Sequence, residues 1–365
     1  MTACDLFPIP ISSLPASTRR VLAGIDQILL YRTALTHRFR GITSRDGLLL
    51  RGAHGWAEVS PFWDYDSAES ATWLQAGLAQ ARSQAVTPRR SQVPVNATIP
   101  VVSAQRAAQL VAQSGGCSTV KVKVADPRST LTQDCERLEA VRQALTEQLR
   151  QRGQDASAGR IRVDANTAWD REEAVKAIGA LDRAAAGLEY VEQPCPSVAD
   201  LAWVRARVEV PIAADESVRR ARDPLAVARA QAADLLVVKV QPLGGAHRIH
   251  QIAEETGLPV VVSSALDSSV GLARAAQCAA SLPDLPFACG LGTARLLEGD
   301  VTTRRVLSRD GAVEVFDPVV DEDVVAEPAS AEQLALVERW VDRLTRMCAH
   351  IDADTGLVRA EGDLP

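Results

Sequence analysis

From residue 92 to residue 293 the chain alternates short β-branched runs with alanine-rich stretches of helical period, and it does so eight times. The runs are VPVNATI (93–99), TVKVKV (119–124), RIRVDAN (160–166), LEYVEQP (188–194), PIAADES (211–217), DLLVVKVQP (234–242), PVVVSS (259–264) and FACGLGT (287–293). The intervening helices are expected near 104–114, 130–150, 171–181, 198–207, 224–232, 246–256 and 269–281. Eight such beats predict an α/β fold of the (β/α)8 barrel type. A doubly wound open sheet is the alternative, and no GxGxxG after a first strand supports it.

The flanks read differently. In residues 1–90, GIDQILLY and LLLRGAHGWAEVSPF look like antiparallel strands and 67–85 like a helix, which makes an α+β capping unit. Residues 91–300 form the barrel. Residues 301–365 add a short strand, AVEVF, and a helix near 331–350 with Trp340, expected to pack back on the N-terminal unit. At 365 residues, 47% of them hydrophobic, the chain has ample material for a large core. The net charge of −6 and the lack of a basic run argue against a nucleic-acid surface. Seven scattered cysteines with no CxxC pair read as reduced thiols of a cytoplasmic protein. No apolar run is long enough for a signal peptide or membrane span.

Strand alternation then sorts the barrel residues by face. In 119–124, Lys121 and Lys123 share the face opposite Val120, Val122 and Val124. The same rule turns Arg162 with Asp164, Tyr190 with Glu192, Ala213 with Asp215, and Val237 with Lys239 towards the barrel axis. An amphipathic strand with a wet face explains one KVK, but a barrel interior offers no wet face. Asp164, Glu192 and Asp215 end three consecutive strands, so their carboxylates should converge at the C-terminal rim, where barrel enzymes keep their chemistry. Three like charges repel unless a cation sits among them. An all-oxygen set suits a hard ion, Mg2+ first. Strands two and six lie opposite each other, which places Lys123 and Lys239 on either side of whatever the metal holds. Lys121 and the metal should lower the basicity of Lys123 enough for it to take a proton beside a metal-held carboxylate.

KVK, VDAN, VEQP, ADES and VVKVQPLGG, in this order, resemble the enolase superfamily, whose lysine bases and magnesium-stabilised ene-diolates are a known pattern. The resemblance spans nearly the whole chain and implies a modified barrel under an α+β cap. A lysine pair on strand two with one on strand six is similar to the muconate-lactonizing subgroup; a mandelate-racemase type would show a histidine after strand seven. A dipeptide-epimerase branch would carry DxD at strand eight, where this chain has GLGT. RVDAN, SSALDSS (263–269), GLGT and the capping segment 31–50 look most like the actinobacterial branch that dehydrates a hydroxycyclohexadiene carboxylate to 2-succinylbenzoate for menaquinone synthesis. N-Acylamino acid racemisation and cycloisomerisation are the subgroup's other chemistries.

That resemblance implies Asp164, Glu192 and Asp215 as ligands of one Mg2+, with Mn2+ as a substitute. It implies Lys123 as the acid/base, Lys121 as its electrostatic tuner and Lys239 as the facing cation. Arg162, Ser263, Ser264, Gly290 and Gly292 are expected to bind a small dicarboxylate substrate, the serines and free glycine amides holding its succinyl end. A class I aldolase also keeps a lysine on strand six, as a Schiff base, but needs neither the carboxylate trio nor the lysine pair. A barrel kept only for binding should have lost some of these charges.

Overall fold

The computed structural model describes residues 4–359 apart from 40, 85, 221 and 222. Its first sheet is antiparallel, in the order β1 (Cys4–Pro8), β2 (Ile25–Phe39), β3 (Ile42–Gly52), β4 (Gly55–Val59). Helix α1 (Ala16–Val21) links β1 to β2, and α2 (Ser67–Arg82) follows β4. Asp66 caps α2 by accepting the Glu69 N–H. Trp73, Leu74 and Leu78 of this helix are buried against the sheet. Gly77 permits the close approach, since a Cβ there would stand 2.3 Å from Val59 Cγ2.

The second sheet is parallel. It runs through β6 (Ala97–Ile99), β7 (Thr119–Lys123), β8 (Arg160–Asp164), β9 (Tyr190–Glu192), β10 (Ile212–Ala214), β11 (Leu235–Val238) and β12 (Val260–Val262), in sequence order. Between them lie α3 (Ala104–Ala112), α4 (Leu131–Gln151), α5 (Arg171–Ala185), α6 (Val198–Arg205), the single turns α7 (Glu216–Arg219) and α8 (Ala226–Arg229), and α9 (Ala246–Thr256); α10 (Ser269–Ser281) follows β12. The helix expected over 224–232 shrinks to four residues, and α7 takes up the end of the PIAADES run, where a strand was expected.

The eighth strand is vestigial. Parallel bridges Ser263↔Gly290 and Val95↔Cys289 stand in for it. Gly290 N–H donates to Val262 O at 2.8 Å and Cys289 N–H to Pro94 O at 2.7 Å, which joins β12 to the stretch between β5 (Gln92–Pro94) and β6 and closes the ring. Glycines at 290 and 292 give this stretch little strand preference. The expected first strand is likewise split at Val95 and Asn96: β6 enters the barrel, while β5 pairs antiparallel with β13 (Ala312–Glu314).

Two apolar layers follow from the alternation. Val120, Val122, Ile161, Val163, Val191, Ile212, Leu236, Val238 and Val262 pack under the helices. Tyr190, Ala213, Leu235, Val237 and Val261, with Phe287, fill the barrel's axis. The side chains one step further along the same inner face are the charged ones, which puts chemistry directly above a sealed plug. Helix α11 (Ala331–Ala349) adds Trp340, Leu344 and Met347 to the capping core. Trp340 Nε1 donates to Asp46 at 2.6 Å, and Arg343 donates to the carbonyls of Pro61, Phe62 and Tyr65. All seven cysteines are free thiols, and no described helix is long and apolar enough to cross a membrane.

Candidate active site

Strand register brings the charges together. Lys121 pairs across from Arg162, Lys123 from Asp164, and Asp164 from Glu192. Ala213 lies opposite Glu192, so Asp215 stands two residues further out on the next strand. Beyond these ends the chain turns sharply, with left-handed backbone at Asn166 (φ 46°), Thr167 (69°) and Gln193 (41°). The side chains line an open cavity between the barrel mouth and the cap, whose Phe39 and Phe62 form its apolar wall with Leu266.

Inside, every carboxylate is buried and paired. Lys121 Nζ donates to Glu192 at 2.9 and 3.0 Å and to Asp164 at 3.2 Å. Lys123 Nζ donates to Asp164 Oδ2 at 2.5 Å and to Asn166 Oδ1 at 2.6 Å. Lys239 Nζ donates to Asp215 Oδ2, and Arg219 Nε to Asp215 Oδ1 at 2.9 Å. Burial alone would depress Lys121, but Glu192 and Asp164 outweigh it and raise its pKa, so Lys121 stays a cation. Burial and the neighbouring Arg219 pull Lys239 below its ordinary value despite Asp215. Asp164 is held low against burial by Lys123 and Lys121, and Asp215 by Arg219 and Lys239. Glu192 goes the other way: burial and the Asp164 charge push it up to about 7.

Among the described residues no three His, Cys, Asp or Glu side chains are arranged around one metal-sized point. The ammonium groups of Lys121, Lys123 and Lys239 sit on the three carboxylates instead. The donor set nevertheless fits a hard divalent ion. It is all oxygen, comes from three adjacent strand ends, and includes a carboxyl that burial and the Asp164 charge raise, both of which a bound cation would offset.

Comparison with known proteins identifies the family of the chain. Residues 30–81 match the enolase N-terminal domain-like family and residues 103–319 the enolase C-terminal domain-like family. An o-succinylbenzoate synthase of Thermobifida fusca is 52% identical over 80% of this chain and 88% of its own. Another, from Mycolicibacterium smegmatis, is 46% identical over 88% of this chain and 96% of its own. The chain belongs to the o-succinylbenzoate synthase family of the enolase superfamily. Solved structures carry the same fold at low identity. The L-Ala-D/L-Glu epimerase of Bacillus subtilis matches with TM-score 0.66 at 21% identity, covering 81% of this chain and 97% of its own. The muconate cycloisomerase of Pseudomonas fluorescens matches with TM-score 0.62 at 19% identity, covering 88% and 96%. Members of the superfamily are generally Mg2+-dependent.

Within this synthase-family chain, the residues expected at the substrate's second carboxylate divide. Ser263 lines the cavity, and its hydroxyl makes no hydrogen bond to a described residue. Ser264 also lines it, but its Oγ already accepts from Leu266 and Asp267 N–H, at 2.8 and 3.1 Å, and from Thr293 Oγ1 at 2.9 Å. The Gly290 amide is not free, because it serves the vestigial strand by donating to Val262 O. Gly292 faces a separate recess with Arg106 and Arg295, and packs where a Cβ would meet Asn96 O at 2.5 Å.

Arg162 requires a correction. Two residues before Asp164 on the inner face means one layer deeper, below the cavity, where its guanidinium donates to Glu189 at 2.5 Å and to Ala288 O at 2.7 Å. It lies beside the rings of Tyr190 and Phe287, 4.6 and 5.9 Å from their centres, fully buried. Arg162→Met should therefore cost about 3–5 kcal/mol of stability by stranding Glu189, with KM unchanged. Urea unfolding and steady-state kinetics check this; a raised KM at full stability would return Arg162 to the substrate.

Sequence reading passed over Phe39, Asn166 and Arg219. Asn166 is visible in the VDAN motif and Arg219 is four residues beyond Asp215, one helical turn away. Phe39 carried no local signal, since only the β2–β3 hairpin brings its ring to 5.4 Å from Lys123 Nζ.

Proposed function

We propose that the chain catalyses the syn dehydration of 2-succinyl-6-hydroxy-2,4-cyclohexadiene-1-carboxylate to 2-succinylbenzoate, a lyase step of menaquinone synthesis. One observation carries the reading: two lysines flank three converging carboxylates in one cavity of a chain 52% identical to an o-succinylbenzoate synthase.

Asp164, Glu192 and Asp215 would hold one Mg2+, for which Mn2+ can substitute; bound there, the ion polarises the ring carboxylate and stabilises charge developing on it. Lys123 then takes the proton on the adjacent ring carbon. The C–H electron pair becomes the new ring double bond as the neighbouring C–O bond breaks. Lys123 returns its proton to the departing hydroxyl, and water leaves. Base and acid act on one face, so one group serves for both. Lys121, kept charged by Glu192 and Asp164, fixes those carboxylates beside Lys123. Lys239 faces the reacting centre from the opposite side as a cation. Phe39, Phe62 and Leu266 give the ring an apolar wall, and the Ser263 hydroxyl is available to the succinyl end.

Supplying the cyclohexadiene with Mg2+ and following 2-succinylbenzoate by chromatography tests the assignment. Many turnovers per protein are expected. Metal-loaded, folded protein that forms no 2-succinylbenzoate would remove this reading.

A further inference from the structure

Lys123 and Lys239 are joined by a continuous chain of hydrogen bonds that runs through Asn166, Glu216, Arg219 and Asp215. Lys123 Nζ donates to Asn166 Oδ1 at 2.6 Å, and Asn166 Nδ2 donates to Glu216 Oε1 at 3.3 Å. Arg219 NH2 donates to the same Glu216 oxygen at 2.5 Å. Arg219 Nε then donates to Asp215 Oδ1 at 2.9 Å, and Lys239 occupies Asp215 Oδ2. The third arm of the guanidinium, NH1, donates to the Tyr65 hydroxyl of the capping unit. Arg219 thus bonds directly to Asp215, the partner of Lys239, to Glu216, which Asn166 links to Lys123, and to Tyr65 of the cap.

We propose that Arg219 is a positioning residue: it locks Asp215 and Glu216, and through them Lys239 and Lys123, to the capping domain by way of Tyr65. The inference rests on the functional reading above. Geometry explains the residue type. Three acceptors in three directions need a planar fork with separate donors, which an ammonium on a flexible stem does not provide. The side chain is 2% exposed, so its partners have little water to turn to. Glu216 Oε2 is itself buried without a hydrogen-bond partner among the described residues, and loss of Arg219 would leave that carboxylate with only Asn166. Tyr65 is gripped a second time from outside, since the Arg220 guanidinium stacks 4.5 Å from its ring and pairs with Glu69 of α2 at 3.0 Å. Two consecutive arginines, one inward and one outward, therefore hold the same capping tyrosine. Seating of the cap and alignment of the lysines become one event.

The test compares wild type, Arg219→Met, Arg219→Lys and Tyr65→Phe by Mg2+ calorimetry on metal-free protein and by steady-state dehydration. Arg219→Met should lose about 10- to 100-fold in both Mg2+ affinity and kcat, with KM changed by no more than about twofold. Arg219→Lys should not restore kcat, because charge without the fork cannot hold three partners. Tyr65→Phe, which removes the hydroxyl that accepts from Arg219, should lower kcat about tenfold with the same KM. Should Arg219→Met fail to fold, the other two variants decide. Wild-type kcat and Mg2+ affinity in Arg219→Lys, or wild-type kcat in Tyr65→Phe, would overturn the proposal. If wild type binds Mg2+ but does not dehydrate the diene, the functional reading falls; the calorimetric comparison of Arg219→Lys with wild type still tests the lock.

Discussion

Lys123→Ala should lower kcat by about 10²- to 10⁴-fold while the protein stays folded and still binds Mg2+. The size of the loss follows from the absence of a stand-in. Lys121 is wedged between Glu192 and Asp164 with its pKa raised, so it keeps its proton. Lys239 lies on the far side, on Asp215. Lys123 alone of the three carries an Asn166 partner and faces the Phe39 ring. Product formation gives kcat, and circular dichroism with calorimetry checks fold and metal. Lys239→Ala should also be severely impaired, through loss of the facing charge. Near wild-type turnover in Lys123→Ala would place the base elsewhere.

Removing divalent cations should extinguish activity altogether, and Mg2+ or Mn2+ should restore it. Stability should follow the metal as well: an ion that binds only the folded site adds about 2.7 kcal/mol at a hundredfold excess over its Kd. Its pH dependence has a definite sign. Glu192 titrates near 4.5 when unfolded and at about 7 when folded without metal, so between these values the native state holds the extra proton. Metal-free protein should therefore lose stability as pH rises through that window. With Mg2+ in place of the proton the Glu192 contribution to the slope should vanish, whereas that of Asp267, pushed up to about 7 by burial and Glu58, should persist. Urea unfolding across pH 5 to 8, with and without Mg2+, measures the difference. Full activity in excess chelator would contradict the metal's role.

What the sequence made legible was whatever strand alternation controls. Val237 and Lys239, or Tyr190 and Glu192, differ by two residues, so a face assigned to one holds for the other; the inner plug and the charged rim both came from that rule. Depth along the strand is a different quantity. Arg162 shares a face with Asp164 yet lies a layer lower, and alternation alone does not say which layer meets substrate. Backbone availability was also hidden: GLGT suggests open amides, but closing the ring consumes the one at Gly290. The grip of Tyr65 on Arg219 joins residues far apart in sequence through the docking of two domains, and local pattern carries no trace of such contacts.

The central claim is that one lysine works one face of a metal-held carboxylate. Wild-type protein offered the cyclohexadiene in deuterium oxide, alongside N-succinylamino acids, tests it most directly. Rapid formation of 2-succinylbenzoate and water, with slow or no exchange of the amino-acid α-proton, is the predicted result. Fast racemisation and exchange with no dehydration would contradict it, because that outcome requires Lys123 and Lys239 to pass protons from opposite faces.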